Sequence, residues 1–528
     1  MLSLSKTKNR DLQVFLALLV LVLLLRTPSF FISVFNWDES SYFLIAKDML
    51  QGKMLYVDLW DHKPPGIYVL NALGQMVFGH SILSIRLLAC IAAVSTSFLL
   101  YLMAKTLFKR DDRLSALAGV LYAIFSLLNG GYGSNTEIIF TPFVVLGFYL
   151  LVSYTNGLDG SGANKIKLFA GGLSFGMALQ INAVNVFVFL AALGFLGRRL
   201  CSVSKSGKQG FIGEWWEAAL WLGLGPLLFY EAAFLYFWLH GHLFEYVYAN
   251  FVSPLIYVGQ FKHLFFSNAW MMLKIQISHN LMLWAPAFLM PLYLSKENEK
   301  SVVFLWVWFW AALLGILSTS EPYHHYFQEM VAPLCLINTF LFFYILDQTK
   351  ALGLKVRAVV IILIFGSALI PVAHSLEYTR DLVFHRFYKN DKYWGDTPAA
   401  IAASIRPLIK PGEYIYVVDY EPIIYHLTGV GVPSKYAYCP WFLYSRYFSK
   451  LVFRDPLMEL DSIILVKKPE FIITRGRWKR SSRDPRFYKR LEDYLLRYYG
   501  PPLKFHTEQV GINLNKTRFD ALVYRLKG

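Results

Sequence analysis

Apolar runs of roughly 17 to 25 residues, each the length a helix needs to cross a hydrocarbon core about 30 Å thick, recur through the first 375 of 528 positions. No soluble fold hides so many runs of that length. The composition agrees: the chain is 56% hydrophobic and 16% charged, with a mean hydropathy of +0.42, beyond what a soluble domain carries. A polytopic α-helical membrane protein is expected, with about eleven spans near 12–34, 81–104, 113–129, 138–155, 167–181, 184–197, 215–239, 279–295, 301–318, 325–346 and 357–375. The fifth and sixth are short and read equally well as one broken element. The stretch 64–78 is apolar but too short to span, so it is expected as an interfacial or re-entrant helix. The first run follows MLSLSKTKNR, has no small-residue cleavage site and exceeds the usual signal-peptide core, and is expected to be retained.

Loop charge sets the orientation. With SKTKNR inside, the inner segments hold eighteen lysines and arginines, whereas the opposite loops hold five, Lys47, Lys53, Lys63, Lys262 and Lys274. The unusual polar groups then gather outside, in NWDE, WDHKPPG, NGGYGSNTE and STSEPYHHYF. The outer stretch HLFEYVYANFVSPLIYVG reads as an interfacial helix, with Tyr246, Tyr248 and Tyr257 at headgroup level. The net charge of +16 suits an anionic membrane surface or phosphate-bearing lipids. No motif points to nucleic acid. The four cysteines, Cys90, Cys201, Cys335 and Cys439, imply neither a disulfide framework nor a metal site.

From about Glu377 the composition turns polar and basic, dividing the chain into a membrane domain, 1–375, and a soluble outer domain, 376–528. EYIYVVD (413–419), SIILVKKPEFIITRG (462–476) and FDALVYRLK (519–527) read as β-rich, while PAAIAASIRPLI (398–409) and RFYKRLEDYLLRYYG (486–500) read as helical. A small α/β domain is expected. Its basic stretch 475–490 is either a solvated face or a docking surface for anionic lipid.

Asp38 and Glu39 follow the first span, walled by Trp37, Tyr42, Phe43 and Leu44. Apolar walls raise a carboxylate pKa toward that of a general base; the plainer reading is a solvated rim. Asp61, His62 and Lys63 precede a diproline that holds Lys63 extended, where its ammonium suits a phosphate or merely snorkels. Asn135 either caps a helix or binds acceptor, with Glu137 in the first turn. His324, His325, Tyr326 and Glu329 open a later span, with His325 and Glu329 at helical spacing. No cofactor is called for, although Asp38 and Glu137 are carboxylates able to hold a divalent cation.

DESSYFLIAKDMLQG, then DHKPPG, NTEIIFTPF and HHYFQEMVAPL resemble the bacterial members of the GT-C glycosyltransferase superfamily, in the branch of protein O-mannosyltransferases and lipid A aminoarabinose transferases. YEPIIYHLTGVGVPSKYAYCP and PEFIITRG resemble the outer α/β domain of many of them. The resemblance implies an inverting enzyme of the bacterial plasma membrane, taking a sugar from a polyprenyl-phosphate donor at the outer leaflet to a glycan, lipid or protein. It casts Asp38 as catalytic base with Glu39 beside it, Lys63 facing the lipid phosphate, Glu137 as the next acidic group, and His325 and Tyr326 as the later polar pair. His62 stands where the aminoarabinose transferases usually carry glutamate, and Asn182 where many relatives carry lysine or arginine. A transporter or flippase predicts midplane charges in repeats that the chain lacks, and a ligase using a diphosphate-linked glycan is the enzymatic alternative.

Overall fold

The computed structural model describes residues 2–159, 162–203, 207–260, 265–295, 299–319, 323–349, 353–437, 455–476, 485–506, 508–510, 516–518 and 520–528. Cys439 and residues 477–484 of the basic stretch 475–490 lie outside them. Among the described residues seven helical stretches are long and apolar enough to cross a membrane: Asn9–Phe31, Ile82–Phe108, Thr136–Gly157, Ala183–Val203, Ile212–Leu239, Glu299–Ser318 and His324–Gln348. The protein is a polytopic membrane protein with a C-terminal β-containing part.

Eleven spans were expected; of the other four, three are shorter helices and the last is part of a longer one. The expected third span is a helix of 14 residues, Asp112–Phe125, and the fifth one of 17, Lys165–Ile181. The eighth is a helix of 8 residues, Leu281–Phe288, followed by a 3-10 turn. The last belongs to Leu354–Val383, which runs through the 375/376 boundary expected from composition.

The first nine helices are α1 (Leu2–Arg26), α2 (Trp37–Met49), α3 (Gly66–Phe78), α4 (Ile82–Phe108), α5 (Asp112–Phe125), α6 (Thr136–Gly157), α7 (Lys165–Ile181), α8 (Val186–Val203) and α9 (Gly207–Leu239). Helix α2 starts where Asn36, in extended conformation, accepts from the Glu39 backbone N–H, a side-chain N-cap that satisfies one orphan donor. Helix α3 starts at the diproline, with Pro65 in its capping position. Gly66 lets α3 lie against the end of α7, since a Cβ there would meet the Gln180 carbonyl oxygen at 2.6 Å. A 3-10 turn, Ala183–Asn185, separates α7 from α8, the broken element anticipated from the sequence. The stretch 243–260 is helical throughout, with a π turn at Tyr248–Val252.

Strands β1 (Ile415–Val418), β2 (Phe471–Arg475), β3 (Leu503–Phe505), β4 (Glu508–Val510), β5 (Lys516–Arg518) and β6 (Ala521–Arg525) make a four-stranded sheet of order β1-β2-β6-β3 and a β4-β5 hairpin. β1 and β2 are parallel, and β6 runs antiparallel to both β2 and β3. Ser462–Lys467, expected to begin a strand, is a π turn instead, in which Ile463 and Ile464 are buried before left-handed Lys468 ends it. The sheet packs onto the segments around α2 and the start of α4: Val34, Phe43, Leu44 and Ile85 share a cluster with Ile415, Val417 and Ile423, and Trp60 joins Tyr416 and Tyr436. Ser33 adds polar anchors, its N–H and hydroxyl donating to Asp396 at 2.8 and 2.5 Å.

Candidate functional site

Residues from five separate segments meet at the start of α6 and the end of α7. Lys63, Glu137, Asn182, Val184, Ile316, Thr319, Tyr326 and Glu329 line one small cleft. The Lys63 ammonium lies 5.9 Å from the centre of the Tyr326 ring. Its carbonyl accepts from the Tyr56 hydroxyl at 2.7 Å, and Tyr56 is itself held at a left-handed φ of 68°, a conformation that costs a non-glycine residue energy and marks a position fixed by its surroundings.

Asn182 and Glu137 are joined through Thr136. The Asn182 amide donates to the Thr136 hydroxyl at 3.3 Å, and that hydroxyl donates to Glu137 Oε1 at 3.0 Å. Glu137 Oε2 and Glu329 Oε1 are buried without a hydrogen-bond partner among the described residues. Asn135 occupies the N-cap position of α6 but makes no capping bond; its carbonyl accepts from the Asn36 amide at 2.6 Å, tying the α6 entrance to that of α2.

Asp38 approaches the same region by way of His325, whose Nε2 lies 3.4 Å from Asp38 Oδ2. The His325 ring packs edge-on against Tyr326, centroids 4.6 Å apart. The Asp38 side chain is 29% exposed, and burial pushes its pKa up to about 6, against the opposing pull of Lys63. Asp61 behaves oppositely. Burial works to raise its pKa, but the neighbouring His62, whose backbone N–H donates to Asp61 at 2.7 Å, holds it below the usual carboxylate range. The His62 ring, 3.2 Å from Asp61, stacks on Tyr257 at 5.6 Å. Tyr42 is buried against Tyr68, and burial lifts its pKa well above the usual tyrosine range.

Glu39 departs from its expected place beside Asp38 at the reaction centre. It is wholly buried and accepts four hydrogen bonds, from the Phe35 and Ser134 backbone N–H groups at 2.6 and 2.9 Å and from Arg86 at 2.7 and 2.9 Å. Every lone pair that could serve a substrate is taken by the fold. His325 and Glu329 also part company. Residues 324–330 form a 3-10 helix, in which positions four apart diverge by about 120°, so one faces Asp38 and the other the cleft. His324 turns to Gln276, 3.4 Å away. Among the described residues no cluster of three or more His, Cys, Asp or Glu side chains is arranged around a metal ion, so Asp38 and Glu137 are not gathered into such a set.

Two residues of this region carried signals that the motif reading passed over. Arg86 is a single arginine near the start of an apolar helix, a position that marks a buried partner. Arg475, at the end of β2, lies 4.9 Å over the ring of Trp37, so the sheet reaches the residue next to Asp38.

A family profile described as dolichyl-phosphate-mannose-protein mannosyltransferase matches residues 62–201. An undecaprenyl phosphate-alpha-4-amino-4-deoxy-L-arabinose arabinosyl transferase of Pseudomonas aeruginosa is 34% identical over 149 residues, 26% of each chain, and one of Enterobacter is 27% identical over 186 residues, 34% of this chain and 32% of the relative. The match thus spans only about a quarter to a third of the length of these curated relatives. In three dimensions the likeness is wider. ArnT from Cupriavidus metallidurans in the apo state aligns over 97% of both chains with a TM-score of 0.58 at 11% identity, and the same protein bound to undecaprenyl phosphate with 0.55. The archaeal oligosaccharyltransferase AglB from Archaeoglobus fulgidus aligns over 94% of this chain and 73% of its own, with a TM-score of 0.52 at 12% identity. The chain therefore shares the fold of ArnT and AglB, helical membrane part and β-containing C-terminal part together.

Proposed function

We propose that the chain is an inverting glycosyltransferase of GT-C type that moves a sugar from a polyprenyl-phosphate donor to an acceptor at the outer face of the bacterial plasma membrane. The observation that carries this reading is that Lys63, Glu137, Asn182 and Tyr326 line one cleft, with Asp38 reaching its rim through His325. The shared fold with a protein seen bound to undecaprenyl phosphate supports it, as do the arabinosyl transferase relatives.

In this reading the acceptor oxygen or nitrogen attacks the anomeric carbon from the side of Asp38 and gives its proton to that carboxylate. The bond from the anomeric carbon to the phosphate oxygen breaks, and its electron pair leaves with the polyprenyl phosphate, whose charge meets the Lys63 ammonium. One displacement inverts the configuration. A phosphate leaving group takes no proton, so one base and one cation suffice. Residues 1–375 carry the chemistry, and the C-terminal domain bounds the acceptor side through Arg475 and Trp37. Purified protein given a panel of polyprenyl-phosphate sugars tests this: transfer with inversion is expected, and absence of transfer or of lipid binding across the panel sinks the reading.

A further inference from the structure

The cleft holds more acid than a phosphate-linked sugar needs. Among its described lining residues Lys63 is the one cation, facing the carboxylates of Glu137 and Glu329. Glu137 is 2% exposed and Glu329 5%, and each keeps one oxygen, Oε2 and Oε1 respectively, free of any hydrogen bond among the described residues. A buried carboxylate oxygen without a donor is costly, and a fold tolerates it where a ligand supplies the donor. A lipid phosphate cannot, because it brings only acceptors and takes up Lys63. The sugar offers what the phosphate lacks, N–H and O–H donors able to satisfy both oxygens.

The two glutamates are also fixed independently. Glu137 belongs to the first turn of α6 and is braced by Thr136 and Asn182. Glu329 belongs to the 3-10 helix that packs between α6 and the helix Glu299–Ser318. Their side chains reach the cleft from different elements, with the apolar Val184 and Ile316 on its wall. That is the arrangement of a small polar recognition site: a few placed acceptors in a mostly apolar surround.

Resting on the functional reading above, we propose that Glu329 and Glu137 together recognise the hydrogen-bond-donating substituents, hydroxyl or ammonium, of the sugar being transferred, while Lys63 alone handles its phosphate. Glu329 is thereby a specificity-determining residue of the donor site. Sugars stripped of their donors leave both carboxylate oxygens unpaired and are rejected, which is the stronger form of discrimination available to a binding site.

The test measures binding to the full-length protein of three probes: bare undecaprenyl phosphate, the same lipid carrying arabinose, and the same lipid carrying 4-amino-4-deoxyarabinose. Wild type is compared with Glu329→Gln and Glu329→Asp. Glu329→Gln is expected to weaken the sugar-bearing lipids roughly 10- to 100-fold, the loss of a charge-assisted hydrogen bond, and to leave the bare lipid within about twofold, with Glu329→Asp recovering part of the loss. A larger loss for the amino sugar assigns an ammonium, and an equal loss assigns hydroxyls. Equal weakening of bare and sugar-bearing lipid, or no weakening of either sugar lipid, overturns the proposal. So does sugar-lipid binding abolished by EDTA and restored by Mn2+, which would put a metal ion between the carboxylates and the sugar. If wild type binds bare lipid but binds neither sugar-bearing lipid more tightly than the bare one, this inference alone fails; if it binds none of the three, the functional reading fails with it.

Discussion

Glu39 Oε2 and Arg86 Nη1 lie 2.7 Å apart with both side chains fully buried, so the acidic residue next to Asp38 serves as a clasp. Arg86 also donates to the Ile32 carbonyl and stacks on Phe35, and Glu39 takes the Ser134 N–H. One ion pair thus joins the end of the first span, the start of α2, helix α4 and the loop before α6. Breaking one partner of a buried pair costs about 3–5 kcal/mol, whereas replacing both by apolar residues is often near neutral. Glu39→Gln is expected to lower the melting temperature in detergent by several degrees, and Glu39→Leu with Arg86→Met to recover most of it. Wild-type stability in Glu39→Gln would mean that the clasp bears no weight.

Asp38, freed from that role, is the candidate base. A positioned general base contributes about 100- to 10,000-fold to rate. Asp38→Asn should lower kcat by that order while donor-lipid affinity stays within about threefold, because the lysine and the cleft remain. Single-turnover transfer and lipid binding, measured on the same preparation, separate the two.

The pKa of about 6 carried by Asp38 sets a pH profile. The base must be ionised, so kcat/KM should be flat above about pH 6 and fall about tenfold per unit below it. Stability runs the other way. The folded pKa stands above the ordinary value of 3.8, so the folded state holds the proton more tightly, and ionisation costs stability that is fully felt above about pH 6 and absent below about 3.8. Asp38→Asn should therefore melt higher than wild type at pH 7.5, with the gain shrinking toward pH 4.

Lys63→Ala removes the single cation among the described cleft residues. Loss of a charge-assisted bond to phosphate, worth about 1.5–3 kcal/mol, predicts a rise of about 10- to 100-fold in the Kd for undecaprenyl phosphate. Lys63→Arg should restore part of it, and the affinity of the alanine variant should depend less steeply on salt. An unchanged Kd would place the phosphate elsewhere.

Gly66→Ala tests how Lys63 is positioned. The added Cβ would meet backbone at 2.6 Å, so α3 must shift from α7, at about 1–3 kcal/mol. The expected result is a lower melting temperature together with weaker donor binding, although residue 66 does not line the cleft.

Much of this protein is written locally. Helix length and apolarity follow from the solvent, because a bilayer leaves no other way to satisfy the backbone; the diproline before α3 and the Asn36 cap before α2 are read directly from short range. The sequence motifs supplied Lys63, Glu137, Asn182 and Tyr326, which line one cleft. Where local reading failed, the failure was geometric. It assumed α-helical spacing for His325 and Glu329, where a 3-10 helix separates them, and gave Asn135 a cap when Asn36 was waiting across the loop.

The adjacent acids Asp38 and Glu39 mark the boundary most clearly. Sequence determined that two carboxylates open one helix. Neighbours on a helix point about 100° apart, so only one of them could face the cleft. Which one was decided by the tertiary structure, because the partners that claim Glu39, the guanidinium of Arg86 and the N–H of Ser134, lie 47 and 95 residues away along the chain.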